Sequence, residues 1–409
     1  MNYLPRHLES QLVESAKHFK SILLLGARQA GKSTLLAHLF PDIKCIVFDP
    51  IQDLYGARKD PDFFLESFPA PLILDEVQYV PELLAALKRK MDKSDLKGQY
   101  FLTGSQNFSM LKTVAESMAG RVAIFQLDNF TLLEMAGLGK EEGWVISYLK
   151  DPETFYKNRK SLPSSSPSLI EFLFRGTFPA TIDIPTTQIP RYFRSYLQTY
   201  VDRDVRTQED IRQLAEFDRF LGISGSLTGQ EINSSHLGRE IGISPNTARR
   251  WLDLLTFSYQ WFELFPYHGN TIKRISGKKK GYFKDVGFAC YLQKIDSPEA
   301  LAVNPKLGSI FETWVVNYIH QQFASISVPP TCYHWRTSGG AEVDLILEKN
   351  GMLYPIECKC KTNLSSADLN GLKAFRNTYK NVQTAVIVYA GTEIYKLDPD
   401  TIAIPWNML

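Results

Sequence analysis

The sequence has few cysteines, no long apolar run and little net charge, and each shortage excludes a class of protein. Its five cysteines among 409 residues follow no regular spacing, so we expect no disulfide framework and infer a reducing compartment. No run approaches the roughly 20 apolar residues that cross a bilayer, and the first segment lacks an apolar core of signal-peptide type. The sequence therefore predicts a cytoplasmic protein that makes no membrane contact.

Charge and length limit the alternatives further. The 46 basic and 44 acidic residues leave a net charge of +2, so any contact with nucleic acid must be local rather than due to a general basic field. A chain of 409 residues exceeds what one hydrophobic core organises, and no internal repeat is visible. We therefore expect an α/β protein of several domains.

Changes of pattern divide the chain into four predicted domains. Residues 1–128 alternate short apolar runs, such as "SILLLG" and "PLILDE", with helical stretches, which predicts a parallel sheet covered by helices. Helical patterns fill residues 129–215, a predicted helical lid that contains the loop "LPSSSPS". Residues 216–300 show helices followed by two strands, a predicted winged helix–turn–helix. Residues 301–409 predict a second α/β domain.

A phosphate-binding loop lies in the first domain. "GARQAGKS" fits the pattern G-x-x-x-x-G-K-[ST], follows an apolar strand and opens a helix. Such a loop surrounds phosphates with backbone N–H groups, while Lys32 would reach the β- and γ-phosphates and Ser33 would ligate Mg²⁺. We therefore predict ATP or ADP, with Mg²⁺, as ligands. The predicted nucleotide-binding residues are Gly26, Ala27, Arg28, Gln29, Ala30, Gly31, Lys32, Ser33, Thr34 and Asp75.

Polar residues at the ends of two later strands would complete an ATP-hydrolysing site. In "PLILDEVQ", Asp75 can hold Mg²⁺ directly or through water, and Glu76 can polarise the attacking water. In "YFLTGSQNF", Thr103 or Ser105 can point between the phosphate loop and the catalytic water, although simple turn chemistry explains both residues equally well. The alternative for the acidic pair is a strand that ends in solvated carboxylates.

The third predicted domain offers a candidate DNA-binding surface. Residues 233–255 predict a helix–turn–helix in which Ser244 caps the second helix. The strands that follow enclose a wing with six basic residues and no acidic one, which could meet phosphates. Winged helices also serve as packing or protein-binding modules, and that alternative stays open. The residues that would face DNA are Asn246, Arg249, Arg250 and the Lys273–Lys284 wing.

The last domain carries acidic residues that could converge across a predicted hairpin. "GAEVDLILE" and "YPIECKCK" predict consecutive strands, with Asp344 on the first and both Glu357 and Lys359 on one face of the second. Glu312 lies in the helical pattern "GSIFETWVVNYI". The three carboxylates could hold Mg²⁺ or Mn²⁺ and activate a water against a phosphodiester, with Lys359 positioning that water or stabilising negative charge. The alternative is a set of solvated strand residues.

The segment "ESMAGRVAIFQL" places Arg121 just before an apolar strand, and at this point the sequence resembles the AAA-type P-loop ATPases. In that family an arginine at the end of the helix that precedes this strand reaches into the neighbouring subunit's site and neutralises charge on the γ-phosphate. The resemblance therefore implies that Arg121 is an arginine finger and that the protein forms a homo-oligomer. A surface salt bridge is the alternative role for Arg121.

The resemblance continues over nearly the whole chain. "FLFRGTFPATI", "YLQTYVDRDV", "SPNTARRWLDLL", "KGYFKDVGFACYL", "GSIFETWVVNYI", "WRTSGGAEVDLIL" and "PIECKC" occur in this order. The chain is thus similar to a widespread prokaryotic family that joins an AAA-type ATPase domain to a C-terminal domain of unknown function. The resemblance implies a restriction-endonuclease-like core for residues 301–409. Since such a core also serves binding alone, a metal there would not prove cleavage.

Two functions remain open at this point. The first is an ATPase coupled to a nuclease-like C-terminal domain that acts on DNA, which the basic wing and the tail acids favour. The second is a nucleotide-regulated switch that binds protein partners and has a non-cleaving C-terminal domain. The low net charge favours the second function. So does the spacing of Tyr192, Tyr196 and Tyr200, which predicts helix packing rather than a platform for stacked bases.

Overall fold

In a computed structural model of the chain, residues 3–105, 118–158, 168–200 and 214–408 are described. The helices are α1 (Glu9–Ala16), α2 (Lys32–Leu39), α3 (Pro61–Ser67), α4 (Glu82–Asp92), α5 (Leu132–Met135), α6 (Trp144–Lys150), α7 (Pro152–Lys157), α8 (Leu169–Arg175), α9 (Ile189–Tyr200), α10 (Leu214–Ser226), α11 (Ser234–Ile241), α12 (Pro245–Phe257), α13 (Thr271–Ser276), α14 (Val286–Leu292), α15 (Pro298–Ala302), α16 (Leu307–Gln322) and α17 (Asn370–Thr378). The strands are β1 (Ser21–Leu25), β2 (Lys44–Val47), β3 (Leu72–Asp75), β4 (Tyr100–Gly104), β5 (Val122–Gln126), β6 (Gln230–Glu231), β7 (Trp261–Pro266), β8 (Lys280–Phe283), β9 (Thr331–Arg336), β10 (Glu342–Lys349), β11 (Met352–Lys359), β12 (Ala385–Tyr389), β13 (Tyr395–Asp398) and β14 (Thr401–Pro405).

The first five strands form a wholly parallel sheet in the order β2-β3-β4-β1-β5. Successive residues of β1 point to opposite faces, so Leu23 and Leu25 join one apolar cluster while Ile22 and Leu24 join another. Because helices cover both faces, both sets are buried. The parallel sheet predicted for this part of the chain is confirmed, and its strands all end at one edge.

The other strands form a mixed nine-stranded sheet in the order β13-β14-β12-β11-β10-β9-β7-β8-β6. Strand β7 pairs with β8 on one side and runs parallel to β9 on the other, where Phe265 faces Tyr333. One sheet therefore passes through the predicted boundary at residue 300. The four-domain division stays a prediction.

The segment predicted as a winged helix–turn–helix contains α11, α12, β7 and β8. Ser244 Oγ accepts a hydrogen bond from Thr247 N at 3.0 Å and caps α12, which begins at Pro245 as expected. Strands β7 and β8 pair antiparallel as in the predicted hairpin, but the short helix α13 lies in the connection between them. Among the described residues, no helix combines the length and the apolar character that crossing a bilayer requires.

Candidate functional site

The loop between β1 and α2 makes a close backbone approach to the segment after β5. Gly26 has φ +152°, and a Cβ added there would lie 2.2 Å from the carbonyl oxygen of Leu127. Gly31 has φ +95° and precedes α2, so no side chain at this N-cap position competes for the first N–H groups of the helix. The loop thus presents open backbone donors at a helix N-terminus, an arrangement that suits phosphate.

Lys32 lies inside this loop and is buried. Its Nζ donates to the carbonyl oxygens of Gly26 at 2.9 Å and Ala27 at 2.8 Å. The ammonium is therefore held within the turn, where the phosphates of a nucleotide would lie. Thr34, which is also a predicted nucleotide-binding residue, is exposed on the first turn of α2.

The ends of β3 and β4 bring Asp75 and Thr103 beneath the loop. Ser33 Oγ donates to Asp75 Oδ2 at 2.6 Å, and Thr103 Oγ1 donates to Asp75 Oδ1. Thr103 Oγ1 also accepts from the backbone N–H of Glu76 at 3.0 Å. The adjacent Ser33 hydroxyl and Asp75 carboxylate supply the oxygen ligands that Mg²⁺ prefers, so these residues fit that ion.

Glu76 begins a short turn with left-handed backbone angles, φ 59° and ψ 45°. Its Oε2 accepts hydrogen bonds from Gln78 Nε2 and from Ser105 Oγ, the latter at 3.3 Å. Later in the same turn, Tyr79 Oη accepts from Arg28 Nη2 of the phosphate loop at 3.0 Å. Thr103 at the end of β4 therefore holds the end of β3 through Asp75 and the backbone of Glu76. Ser105 and Gln78 orient the Glu76 carboxylate.

Two residues that the sequence analysis did not assign to the site also contact the phosphate loop. Buried Arg6 donates from Nη1 to the carbonyl oxygen of Ala30 at 3.0 Å. Tyr192 on α9 donates from its hydroxyl to Gln29 Oε1 at 2.6 Å. Local motifs contain no signal for either contact, because each joins residues far apart in the chain.

Arg121 immediately precedes β5, whereas the phosphate loop follows β1. Because β1 and β5 are parallel, Arg121 lies at the end of the strands opposite to the phosphate loop. Its Nε pairs with Asp92 at the end of α4, and its Nη1 donates to the carbonyl oxygen of Ala119 at 2.9 Å. Arg121 therefore cannot complete the nucleotide site of its own chain. A role in a neighbouring copy stays a prediction.

The residues predicted to face DNA divide into exposed and internally paired groups. Asn246 and Arg250 are exposed on α12. Arg249, on the same helix, pairs with Asp253 at 2.6 Å and with Glu263 at 2.7 Å. Two acids thus neutralise most of the field that Arg249 would offer to a phosphate.

Most basic residues of the Lys273–Lys284 wing are also paired. Arg274 pairs with Glu348 at 3.0 Å and Lys279 with Glu263 at 3.1 Å. Lys280 and Lys284 are buried, so these two lysines do not lie on a DNA-facing surface. Their burial follows from the place of β8 inside the nine-stranded sheet. The exposed cations of the wing are Lys273 and Lys278.

The three acids predicted in the tail converge in the buried interior. Glu312 comes from α16, while Asp344 and Glu357 lie on the antiparallel neighbours β10 and β11. Asp344 Oδ2 accepts from the backbone N–H of Cys358 at 2.9 Å. Lys359 pairs with Glu357 Oε1 at 2.5 Å. Beside Glu312 and Asp344 a pocket of about 560 Å³ opens, and Lys359 also lines it.

A fourth charged residue, Lys280 of β8, lies between two of these acids. Its Nζ is 2.6 Å from Glu312 Oε1 and 3.4 Å from Asp344 Oδ1, and Tyr282 donates its hydroxyl to Glu312 Oε1 at 2.8 Å. We call Glu312, Asp344 and Glu357 the carboxylate cluster. The sequence alone predicts Lys280 as part of the wing, because nothing local to "SGKKKG" connects it with the tail.

Burial and mutual repulsion set the protonation of these acids. Burial, with the nearby Asp344 carboxylate, raises the pKa of Glu312 to about 8, against the opposing effect of Lys280. Burial and the Asp344 charge also raise the pKa of Glu357 well above its usual range. Among the described residues, no group of three or more His, Cys, Asp or Glu side chains is arranged to hold a metal ion. With an ammonium between two of the acids, the cluster does not fit a divalent cation in this arrangement.

Family models match three parts of the chain. Residues 18–136 match a model described as an AAA domain. Residues 166–299 and 307–409 match two models described as domains of unknown function, DUF8612 and DUF4143. The first match supports an AAA-type ATPase family, as predicted, and that family suggests nucleoside-triphosphate hydrolysis. The restriction-endonuclease-like core stays a prediction.

Relatives and solved structures show similarity over larger parts of the chain. The uncharacterized proteins Rv2008c of Mycobacterium tuberculosis and Mb2031c of Mycobacterium bovis are each 28% identical over 393 residues, which cover 95% of this chain and 80% of theirs. The Walker-type ATPase PABY2304 of Pyrococcus abyssi has 16% identity and a TM-score of 0.43, covering 72% of this chain and 99% of that one. A RuvB variant of Thermotoga maritima has 18% identity and a TM-score of 0.30, covering 62% and 86%. These TM-scores are too low to carry an argument.

Proposed function

We propose that this chain, whose residues 18–136 match an AAA domain, binds ATP with Mg²⁺ and hydrolyses it. The observation that carries the proposal is the hydrogen-bonded series Ser33–Asp75–Thr103–Glu76 beneath the phosphate loop. It joins a candidate magnesium ligand pair to the backbone N–H of Glu76, the residue whose carboxylate could activate water. Such a connected series at the ends of parallel strands is more than a glycine turn requires.

Each residue of the site has a proposed role. Lys32 would stabilise the β- and γ-phosphates, and Ser33 with Asp75 would hold Mg²⁺, which supplies charge neutralisation at the transferring phosphoryl group. Glu76, oriented by Gln78 and Ser105, would take the proton of the attacking water. Arg121 would act on the site of a neighbouring copy in a homo-oligomer.

Of the two possible roles for the whole chain, we favour a nucleotide-regulated switch that binds protein partners. Two observations support it: four of the six wing cations pair with acids of the same chain, and an ammonium occupies the carboxylate cluster. An ion pair also connects the region of the phosphate loop with the nine-stranded sheet. Asp128, which follows β5 near the phosphate loop, pairs with Lys284 at 3.1 Å, directly after β8. A shift of the loop on nucleotide binding would therefore act on β8.

The second candidate role is cleavage of DNA by the C-terminal domain. The observation in its favour is the convergence of Glu312 and Asp344 beside an open pocket that Lys359 also lines. A nuclease is expected to assemble acids and a lysine in this way, but with a bound divalent cation. The same pocket could instead serve recognition without chemistry.

One set of assays tests both the proposed ATP hydrolysis and the choice between a switch and a nuclease. ATP hydrolysis by the full chain should require Mg²⁺, and Lys32→Ala should abolish nucleotide binding because the main positive charge on the phosphates is lost. Plasmid and single-stranded DNA should remain uncut with Mg²⁺ or Mn²⁺, with or without ATP. Absence of ATP turnover in the parent protein would refute the ATPase proposal. If the parent protein cuts DNA and Lys359→Ala loses that cleavage, the C-terminal domain is a nuclease and the switch proposal is wrong.

A further inference from the structure

We propose that the ammonium of Lys280 takes the place of a divalent cation in the carboxylate cluster, so that Lys280 and a metal ion compete for the same oxygens. This inference is independent of ATP hydrolysis, because it concerns only the cluster in the nine-stranded sheet. It assigns to a residue of β8 the charge compensation that the tail acids were expected to obtain from a metal. The cluster is then an internally closed site that opens to metal only when Lys280 leaves.

The contacts of Lys280 are those of a bound cation. Its Nζ lies within 2.6 Å of Glu312 and 3.4 Å of Asp344, and the residue is only 7% exposed. A divalent ion would use oxygen ligands at about 2.0–2.6 Å. A metal ligated by the Glu312 and Asp344 oxygens that Lys280 contacts would lie at the position of the ammonium, so the two cations compete for these oxygens.

The backbone holds Lys280 in this place. In the sheet Lys280 is paired with Leu264 of β7 and with Glu231 of β6. The next residue, Gly281, packs so closely under Trp261 that an added Cβ would lie 1.9 Å from its ring. The strand therefore has little freedom to move sideways, and the ammonium remains aimed at the acids.

One oxygen of the cluster lacks a partner while Lys280 is in place. Glu357 Oε2 is buried and has no hydrogen-bond partner among the described residues, whereas its Oε1 is paired with Lys359. Asp344 Oδ2 accepts from the backbone N–H of Cys358 at 2.9 Å, so the Asp344 carboxylate lies beside the residue that follows Glu357. A buried acceptor without a donor is costly, and a metal that replaced Lys280 and was ligated by Asp344 and Glu357 would satisfy it.

The three adjacent lysines provide a matched control. Lys279 turns to Glu263 at 3.1 Å, and Lys278 is exposed, so only Lys280 enters the cluster. Lys278→Met removes the same charge and adds the same side chain two residues away. Any effect common to Lys278→Met and Lys280→Met is then a general effect of charge and not of the cluster.

The test is Mn²⁺ binding by calorimetry to the full chain without nucleotide. Asp75→Asn is introduced throughout, so that the candidate ATP-site ligand does not contribute. This parent and its Lys278→Met variant should bind no Mn²⁺ at the cluster, whereas Lys280→Met should bind one ion at least about tenfold more tightly than any site of the parent. Adding Asp344→Asn to Lys280→Met should abolish that ion. The melting temperature of Lys280→Met should also rise on adding Mn²⁺, a readout that needs no activity.

Several results would overturn the proposal. One is Mn²⁺ binding in the parent that Asp344→Asn removes and that Lys280→Met leaves unchanged in affinity. Another is a folded Lys280→Met that gains no metal site. If Lys280→Met does not fold, Lys280→Gln, which keeps a hydrogen-bond donor, is measured in its place. Recovery of folding with Mn²⁺ in either variant supports competition, and failure of both variants to fold at any Mn²⁺ concentration refutes it.

Discussion

The carboxylate of Glu76 provides the sharpest test of the nucleotide site. Glu76→Gln keeps the size of the side chain and an oxygen that can accept from Ser105, so the left-handed turn and its contacts should survive. What the change removes is the ability to take a proton from water. Nucleotide binding should persist, because Lys32 and the backbone donors of the loop are untouched.

The size of the effect follows from the role assigned to Glu76. A positioned general base contributes about 10²–10⁴-fold to a rate. At about 1.36 kcal/mol for each factor of ten, the barrier to hydrolysis should rise by roughly 3–5 kcal/mol. Because Glu76 donates nothing to the phosphates, the dissociation constant for ATP should change by less than about threefold, well under one tenfold step of 1.4 kcal/mol. The loss should therefore appear in kcat and not in binding.

The assay is phosphate release under saturating ATP and Mg²⁺, with nucleotide affinity measured separately by fluorescence of a labelled ATP. Glu82→Gln is the matched control, since Glu82 is an exposed glutamate at the start of α4 outside the network. It should hydrolyse ATP at the parent rate. If kcat of Glu76→Gln stays within about twofold of the parent, Glu76 is not the general base.

Two further predictions concern assembly and pH. If Arg121 acts across an interface, mixing Arg121→Ala with Glu76→Gln should restore part of the hydrolysis that each variant has lost, measured as phosphate release at several mixing ratios; no recovery in verified mixed oligomers would place the whole site in one chain. His334 is buried and its Nε2 donates to the carbonyl oxygen of Lys278 at 3.0 Å, and burial lowers its pKa to about 4. The unfolded chain takes up this proton near pH 6.5 and the native state does not, so the stability that depends on neutral His334 is lost as the pH falls from 6.5 towards 4, by roughly 3 kcal/mol at about 1.36 kcal/mol per pKa unit. Denaturant unfolding of His334→Gln should show a flatter pH dependence over that window, and an unchanged slope would exclude His334 as its cause.

The parallel sheet and the phosphate loop could be predicted without the structure, because both depend on local information in the chain. Buried parallel strands need continuous apolar runs, and "SILLL" and "LILD" are such runs. The loop depends on residues adjacent in the chain, so the positions of Gly26 and Gly31 predict its backbone. Asp75 joins the site because parallel strands end at one edge, which a pattern of strands and helices already implies.

The charges of the second half of the chain could be counted from the sequence, but their partners could not. Arg249 belongs to the predicted helix–turn–helix and Arg274 to the predicted basic wing, yet Glu263 of β7 and Glu348 of β10 pair with them. An ion pair between residues distant in the chain leaves no periodic signal.

The cation that compensates the carboxylate cluster could not be predicted from the sequence. Glu312, Asp344 and Glu357 could be proposed from the types of residue and the predicted hairpin. Lys280 comes between Glu312 and Asp344 because β8 joins the same sheet as β10 and β11, through β7 and β9. Burial makes a carboxylate pair costly unless a cation compensates it, and the strand order selected a lysine for that role.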